Sequence, residues 1–318
     1  NRNRYTAKDE REKVIMGIVL NEGLSQISLI FIYAAMAVYT GAFLTFVNHL
    51  SRLASEKKKI RSAATKLERV AIIVLAAGAL LHGTGVVLRG IAASRVPWAN
   101  MYEFSITGSF VVVAIFLFAL AIKDIRLIAT FVSGFTLLIL GSATAVFYVE
   151  VKSLMPALQS YWLVIHVTVA ILATAFFNIA AALSIAYILK TAGWVEKSKL
   201  KLVGTMRRIL ALFPTVDKIE KLAYRFNIIG FILWSFTLIA GAIWAERAWH
   251  RYWGWDTKEV WTFIIWTIYA GYLHANATRG WTGKRSAWLA IVGFVAILFN
   301  FTVVNLFFKG LHVYSGLK

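Results

Sequence analysis

Apolar residues in this chain come in long runs, not in alternation with polar ones. Eight runs, at about 21–48, 70–90, 105–122, 127–148, 161–189, 226–247, 260–278 and 286–308, are separated by polar or basic stretches. A helix needs about 20 apolar residues to cross a bilayer, so the pattern predicts eight transmembrane helices. The ten-residue alternation of a membrane barrel is not what the chain shows. The expected fold class is an all-α polytopic membrane protein, with a polar segment over 1–20 and one transmembrane domain over 21–318. Residues 1–13 lack the short apolar core of a signal peptide. The stretch 214–225, PTVDKIEKLAYR, places apolar residues at helical spacing behind Pro214. It reads as a short interfacial helix leading into the sixth span.

Composition strengthens this reading. Hydrophobic residues make up 59 % of the chain and charged residues 15 %, against about 45–50 % and about 25 % in soluble domains. Mean hydropathy is +0.70. A soluble enzyme and a disordered chain are both excluded. With no cysteine, the chain has no disulfide, thiolate metal site or redox thiol of its own. A net charge of +19 would point to nucleic acid in a soluble domain. Here the basic residues sit between apolar runs, so they set orientation and a nucleic-acid partner is not expected. Of the 34 Lys and Arg, 21 fall in one alternating set of loops and 13 in the other. The positive-inside rule makes the richer set cytoplasmic. Both termini and the loop at 247–259 then face outward from a plasma (inner) membrane.

Ionisable groups at membrane depth need a reason. His49 ends the first span and reads as an interfacial residue. His166, in YWLVIHV, and His312, in GLHVYSG, lie 146 residues apart but at one level near the outer surface. Two imidazoles facing each other across a cavity are the usual axial pair of a six-coordinate haem. Taken singly, each is an ordinary interfacial hydrogen-bonding histidine. His274, in YAGYLHANATRG, lies toward the cytoplasmic end of the seventh span and is either a deeper iron ligand or a snorkelling residue. His82, in LLHGTGVVLRG, has Gly83 and Gly85 beside it, which would admit a flat ligand or another helix.

Six of the twelve tryptophans fall within 244–266, in WAERAWHRYWGWDTKEVW and just beyond. An aromatic belt would spread over all helix ends, whereas these concentrate in one loop. Trp249, Trp253 and Trp255 suit a large flat ring with polar edges, and Arg247, Arg251 and Lys258 suit its carboxylates. Asp256 cannot favour a carboxylate and reads as an orienting residue.

WHRYWGWD at 249–256 resembles the WWD motif of the haem-handling proteins, among them CcmC, CcmF and the CcsA/ResC proteins. Three further elements decide the branch. PWANMYEF at 97–104 resembles an external PxxNMYE element, YWLVIH precedes the motif, and YLHANATRGW and VNLFFKGLHVYSG follow it. CcmC is shorter and CcmF much longer. The pattern, over about 70–318, is similar to the CcsA/ResC family, called CcsB in some bacteria, of the two-protein system for cytochrome c biogenesis. The resemblance implies that His166 and His312 ligate haem beside the WWD loop and that His274 receives haem within the membrane. It implies no role for His82. One departure is visible, in that His250 stands where the motif usually has glycine.

The expected function is that of a cytochrome c haem lyase, or synthetase, working with a ResB-like membrane subunit. Haem b is held as substrate and joined to the CXXCH thiols of apocytochrome c. Positioning would carry the chemistry, and no residue is assigned as a general acid or base. The alternatives are a b-type haem electron-transfer protein and a haem exporter with no bond-forming activity.

Overall fold

A computed structural model describes residues 2–55, 58–151 and 159–311. Each apolar run becomes a helix. The corresponding helices are α1 (Arg2–Leu53), α2 (Lys58–Ala93), α3 (Met101–Ile122), α4 (Ala129–Ala145) and α5 (Tyr161–Lys190), followed by α8 (Val216–Trp249), α9 (Thr257–Arg279) and α10 (Lys284–Phe299). Two short helices, α6 (Gly193–Lys197) and α7 (Lys201–Ala211), lie between α5 and α8. After α10 the chain makes a π-helical stretch at Asn300–Val304 and a last turn, α11 (Asn305–Phe307). Six of the described helices are long and apolar enough to cross a membrane. Of the other two expected spans, α4 is apolar but only 17 residues long, and α9 has polar residues at both ends.

The spans run alternately up and down. One face, the motif face, carries the turns at 94–100 and 250–256. The opposite, basic face carries α6 and α7. Large apolar side chains point outward around the bundle, including Ile30, Ile73, Leu80, Phe118, Leu138 and Ile232. Such a surface is stable against lipid and not against water.

Two details differ from the sequence reading. Residues 216–225 form no separate interfacial helix but are the first turns of α8, which runs unbroken for 34 residues. Nothing in 214–225 breaks the helix, since Pro214 lies before it. The separate amphipathic helix is α7, with Arg207 and Arg208 on its exposed side and Leu210 buried. The basic stretch 51–69 is mostly helix end, and His49 is buried there, its Nδ1 donating to the Ala64 carbonyl at 2.9 Å.

The interior has two parts. One is built by α1–α4 with one side of α5, the other by α5, α8, α9 and α10. Between helices in lipid the driving force is close packing, which favours small residues. Gly78 receives the ring of Tyr39, Gly230 that of Phe177 and Gly293 that of Tyr269. Phe177 and Tyr269 stack at 3.7 Å.

The α2–α3 corner is held by charge. Glu103 is fully buried, and so is Arg89. The Glu103 carboxylate accepts from Arg89 Nε at 3.2 Å, from both terminal nitrogens of Arg95 and from the Ala99 amide at 3.0 Å. Arg89 also donates to Ser25 Oγ and the Val149 carbonyl and lies over the Tyr102 ring. The Asn100 side chain caps α3 by accepting from the Glu103 amide. PWANMYEF is therefore a structural corner. A buried pair that loses one partner leaves an uncompensated charge, which costs about 3–5 kcal/mol. Glu103→Ala should lower stability by that amount in thermal unfolding of detergent-purified protein. Asp124→Asn, which removes an exposed ion pair with Arg126, should change it by less than about 1 kcal/mol.

Candidate functional site

A cavity of about 260 Å³ opens at the motif face, at the seam between the two parts of the interior. It approaches the lower end of the range of about 300–1,000 Å³ usual for ligand pockets. Its walls come from α3, α4, α5, α8, α9 and α10, and its mouth from Trp98, Asn100, Tyr252 and Trp253. The exposed wall is mostly apolar, with polar side chains spaced along it from mouth to floor.

His166 lines this cavity from the second turn of α5. Its Nδ1 donates to the Thr237 carbonyl at 2.9 Å, which fixes the tautomer and leaves the lone pair on Nε2. A carbonyl behind the distal nitrogen is the usual support of a metal-ligating imidazole. The ring lies nearly parallel to Trp244, with centroids 6.0 Å apart. It also packs so closely on Gly241 that a Cβ there would meet the imidazole at 2.7 Å.

The tryptophan-rich loop divides by role. Trp253 lines the cavity and meets Trp255 and Phe263 edge-on. Trp255 is 75 % exposed and points away. Trp249 is half-buried and packs edge-on against Trp244 at 4.8 Å, below the mouth. The Arg251 guanidinium folds over Gly254 and would have to swing aside for any side chain there. Like Trp249 and Trp255, Arg251 is not part of the cavity wall.

Asp256 is an organiser. Its Oδ1 accepts from the Lys258 amide and caps α9, while Glu259 reaches back to the amides of Gly254 and Asp256. Its Oδ2 accepts from the Leu311 amide at 2.7 Å, with Gly310 pressed against the carboxylate. The WWD aspartate thus ties the loop to the segment entering His312. His312 itself lies outside the described residues.

Lys258 stands ahead of the expected span at 260–278. Its ammonium is enclosed, donating to the Asn300 carbonyl at 2.8 Å and Asn305 Oδ1 at 2.9 Å. The Asn300 carbonyl belongs to the π-helical stretch, where the wider turn releases carbonyls from the α pattern.

The remaining histidines are elsewhere. His274 is exposed on α9 and does not line the cavity. His82 is fully buried between Tyr39 and Phe110, with its Nδ1 hydrogen-bonded to the Tyr39 hydroxyl at 3.3 Å. The space at Gly83 and Gly85 is taken by Phe110, Ile32 and the Ser28 carbonyl. These glycines therefore admit protein and not a flat ligand. Sequence reasoning missed Thr237, Gly241, Asn300 and Asn305. Polar residues inside the apolar runs at 226–247 and 286–308 were the available signal.

Residues 98–312 match the family model described as Cytochrome C assembly protein. The Cytochrome c biogenesis protein CcsA of Prochlorococcus marinus is 35 % identical over 262 residues, spanning 76 % of this chain and 83 % of its own. That of Synechococcus elongatus is 33 % identical over 264 residues, spanning 71 % and 81 %, and that of Guillardia theta is 34 % identical over 243 residues, spanning 72 % and 80 %. Among solved structures, the Cytochrome c Heme Lyase CcmF superposes with a TM-score of 0.58 at 15 % identity, over 87 % of this chain and 46 % of that one. At that identity the likeness is one of fold. The chain belongs to the cytochrome c assembly family, in its CcsA cytochrome c biogenesis branch.

His250 explains the motif's preference at its position. It ends α8 with φ +56°, and its amide closes on the Glu246 carbonyl. Glycine adopts that left-handed conformation without the cost of about 1–2 kcal/mol that other residues bear, but it adds unfolded-state entropy. His250→Gly should raise stability by about 0.5–1 kcal/mol, read as a higher unfolding midpoint. Asp256→Ala should free the Leu311 amide. Hydrogen exchange over 308–311 should then quicken at least about tenfold, as expected for a lost charge-assisted bond, while exchange in α5 stays unchanged.

Proposed function

We propose that this protein is a cytochrome c haem lyase subunit that holds haem b as substrate in the motif-face cavity. It presents the haem to the CXXCH thiols of an apocytochrome c. The observation that carries the reading is His166, an imidazole on the wall of an apolar, tryptophan-mouthed cavity with its Nδ1 held by the Thr237 carbonyl. Membership of a cytochrome c biogenesis family supports it. The motif face is then the outer face of the plasma membrane, by the basic bias of the opposite loops.

In this reading His166 and His312 are the axial ligands, and Asp256 holds the segment that delivers His312. Trp253 packs on the ring, Trp249 backs Trp244 behind His166, and Trp255 faces the incoming apocytochrome. Lys258 has three donors, two of them in use, and with Arg251 it favours the propionates. His274, exposed on α9, receives haem at a deeper level, against the ResB-like subunit. Each thioether forms by adding a thiol across a vinyl group. A sulfur–carbon bond forms, the thiol proton ends on the other vinyl carbon, and no net electrons are exchanged. The substrate supplies both thiols, in keeping with a chain that has none. Catalysis is then mainly positioning.

His166→Ala or His312→Ala should leave the protein inserted but abolish covalent haem attachment to a co-expressed CXXCH substrate. Added imidazole should restore part of it by filling the vacated axial position. Full attachment in both variants would overturn the assignment. For His274→Ala the reading is the haem-to-protein ratio of purified protein. A lower ratio at normal yield is expected, and a normal ratio at lower yield would mean a structural role only. Trp253→Ala should reduce haem occupancy more than a change at Trp281, which lies on the basic face, and equal effects would favour an ordinary aromatic belt.

A further inference from the structure

The cavity continues below His166. His166, Ala170, Thr174 and Asn178 form one stripe along α5, all of them on the cavity wall. Twelve residues of helix put Asn178 about 18 Å below His166. At this floor Asn178 is 1 % exposed, and neither atom of its side-chain amide has a partner. Thr136, on the facing wall of α4, is equally buried, and its hydroxyl is also unpartnered. That is unusual within this protein. The hydroxyls of Thr144, Thr168, Thr237, Thr262 and Thr302 all bond the carbonyl four residues back, the normal outlet for a threonine in a helix. Thr136 forgoes it. Higher in the cavity Ser105 Oγ, Glu259 Oε1 and Asn300 Oδ1 are likewise buried without partners, and all three residues line it.

The chemistry of the floor selects its occupant. The two carboxylate- or ammonium-bearing residues on the described wall, Lys258 and Glu259, are both in the first turn of α9 at the mouth. An ion at the floor would have no countercharge at membrane depth. An apolar group would leave three polar atoms unsatisfied. A small neutral molecule that both donates and accepts meets all three, and buried water takes two to four such partners. We propose that the cavity floor is a hydration site, with water held by Asn178 and Thr136. It is the inner end of a water thread that Ser105, Asn300 and Glu259 carry down from the mouth. Small hydrophilic solutes from the motif face then reach below the level of His166. The thread ends against a packed layer in which Phe177 stacks on Tyr269 and each ring lies on a glycine. The inference uses the cavity alone and does not require that haem occupy it.

The absence of native cysteines makes the test direct. A thiol reacts with a charged methanethiosulfonate as its thiolate, which needs water around it. Thr174→Cys is near-isosteric and one turn above Asn178 on the cavity stripe. Ala181→Cys lies deeper on α5, in the core and off the wall. In the full-length detergent-purified protein, 2-(trimethylammonium)ethyl methanethiosulfonate should modify Thr174→Cys at least tenfold faster than Ala181→Cys. Adding Asn178→Leu or Thr136→Val to Thr174→Cys should slow that reaction at least tenfold. Leu238→Cys, on the α8 wall, should be unaffected by either. Equal rates at 174 and 181 would overturn the proposal, as would rates at 174 that neither second substitution changes. Should Asn178→Leu fail to fold, the isosteric Thr136→Val decides. None of these readings involves haem. Fast labelling in a protein that cannot be loaded with haem would overturn the haem reading and leave the hydration site standing.

Discussion

A polar atom inside a bilayer has only protein or trapped water to bond to, and this constraint organises the whole molecule. Away from the cavity it is met in many places by direct pairing. Glu103 takes two guanidiniums and an amide, His49 takes a carbonyl, and most hydroxyls fold back on their own helices. Among the described residues, half of those with unpartnered buried polar atoms line the cavity. On the proposed reading, water completes the bonding there.

The cavity lies at a seam, and its wall is assembled from separate parts. His166 comes from α5, its supporting carbonyl from α8, and the aromatic mouth from the turns before α3 and α9. The end of the described chain, residues 305–311, lies against the same loop. Two residues of the tryptophan-rich loop fasten that end. Asp256 holds the Leu311 amide, and Lys258 holds the carbonyl of Asn300 and the side chain of Asn305. The stretch WHRYWGWD is thus split between cavity surface and scaffold. Trp253 meets the cavity, while Asp256 and Gly254 shape the turn.

Much of this was legible from the chain. Long apolar runs announce helices because their period and length have few other outcomes, and all eight expected spans are helices. The run at 214–225 misled because a helix start does not say whether the helix ends before the membrane. The site was half legible. His166 stood out as an imidazole in an apolar run, and Asp256 as an acid with no use for a carboxylate. His82 looked similar to His166 in sequence, and only packing separates them. One ring meets a cavity, the other a tyrosine and a phenylalanine. Asn178, Thr136 and Asn300 are small polar residues of a kind that membrane helices usually absorb by back-bonding. Their exception appears only once the carbonyls around them are accounted for.

The π-helical stretch at Asn300–Val304 has a consequence for how the chain tolerates change. A π turn is an α-helix carrying one surplus residue, and each residue of an α-helix advances about 100° around its axis. Shortening this stretch by one residue would restore regular winding and cost little in packing of α10 itself. It would also rotate everything that follows by about a quarter-turn. Asn305 would leave Lys258, and Leu311 would leave Asp256. The register of a single turn therefore sets which residues meet Lys258 and Asp256, and a one-residue deletion there would be silent for the fold and would undo both contacts.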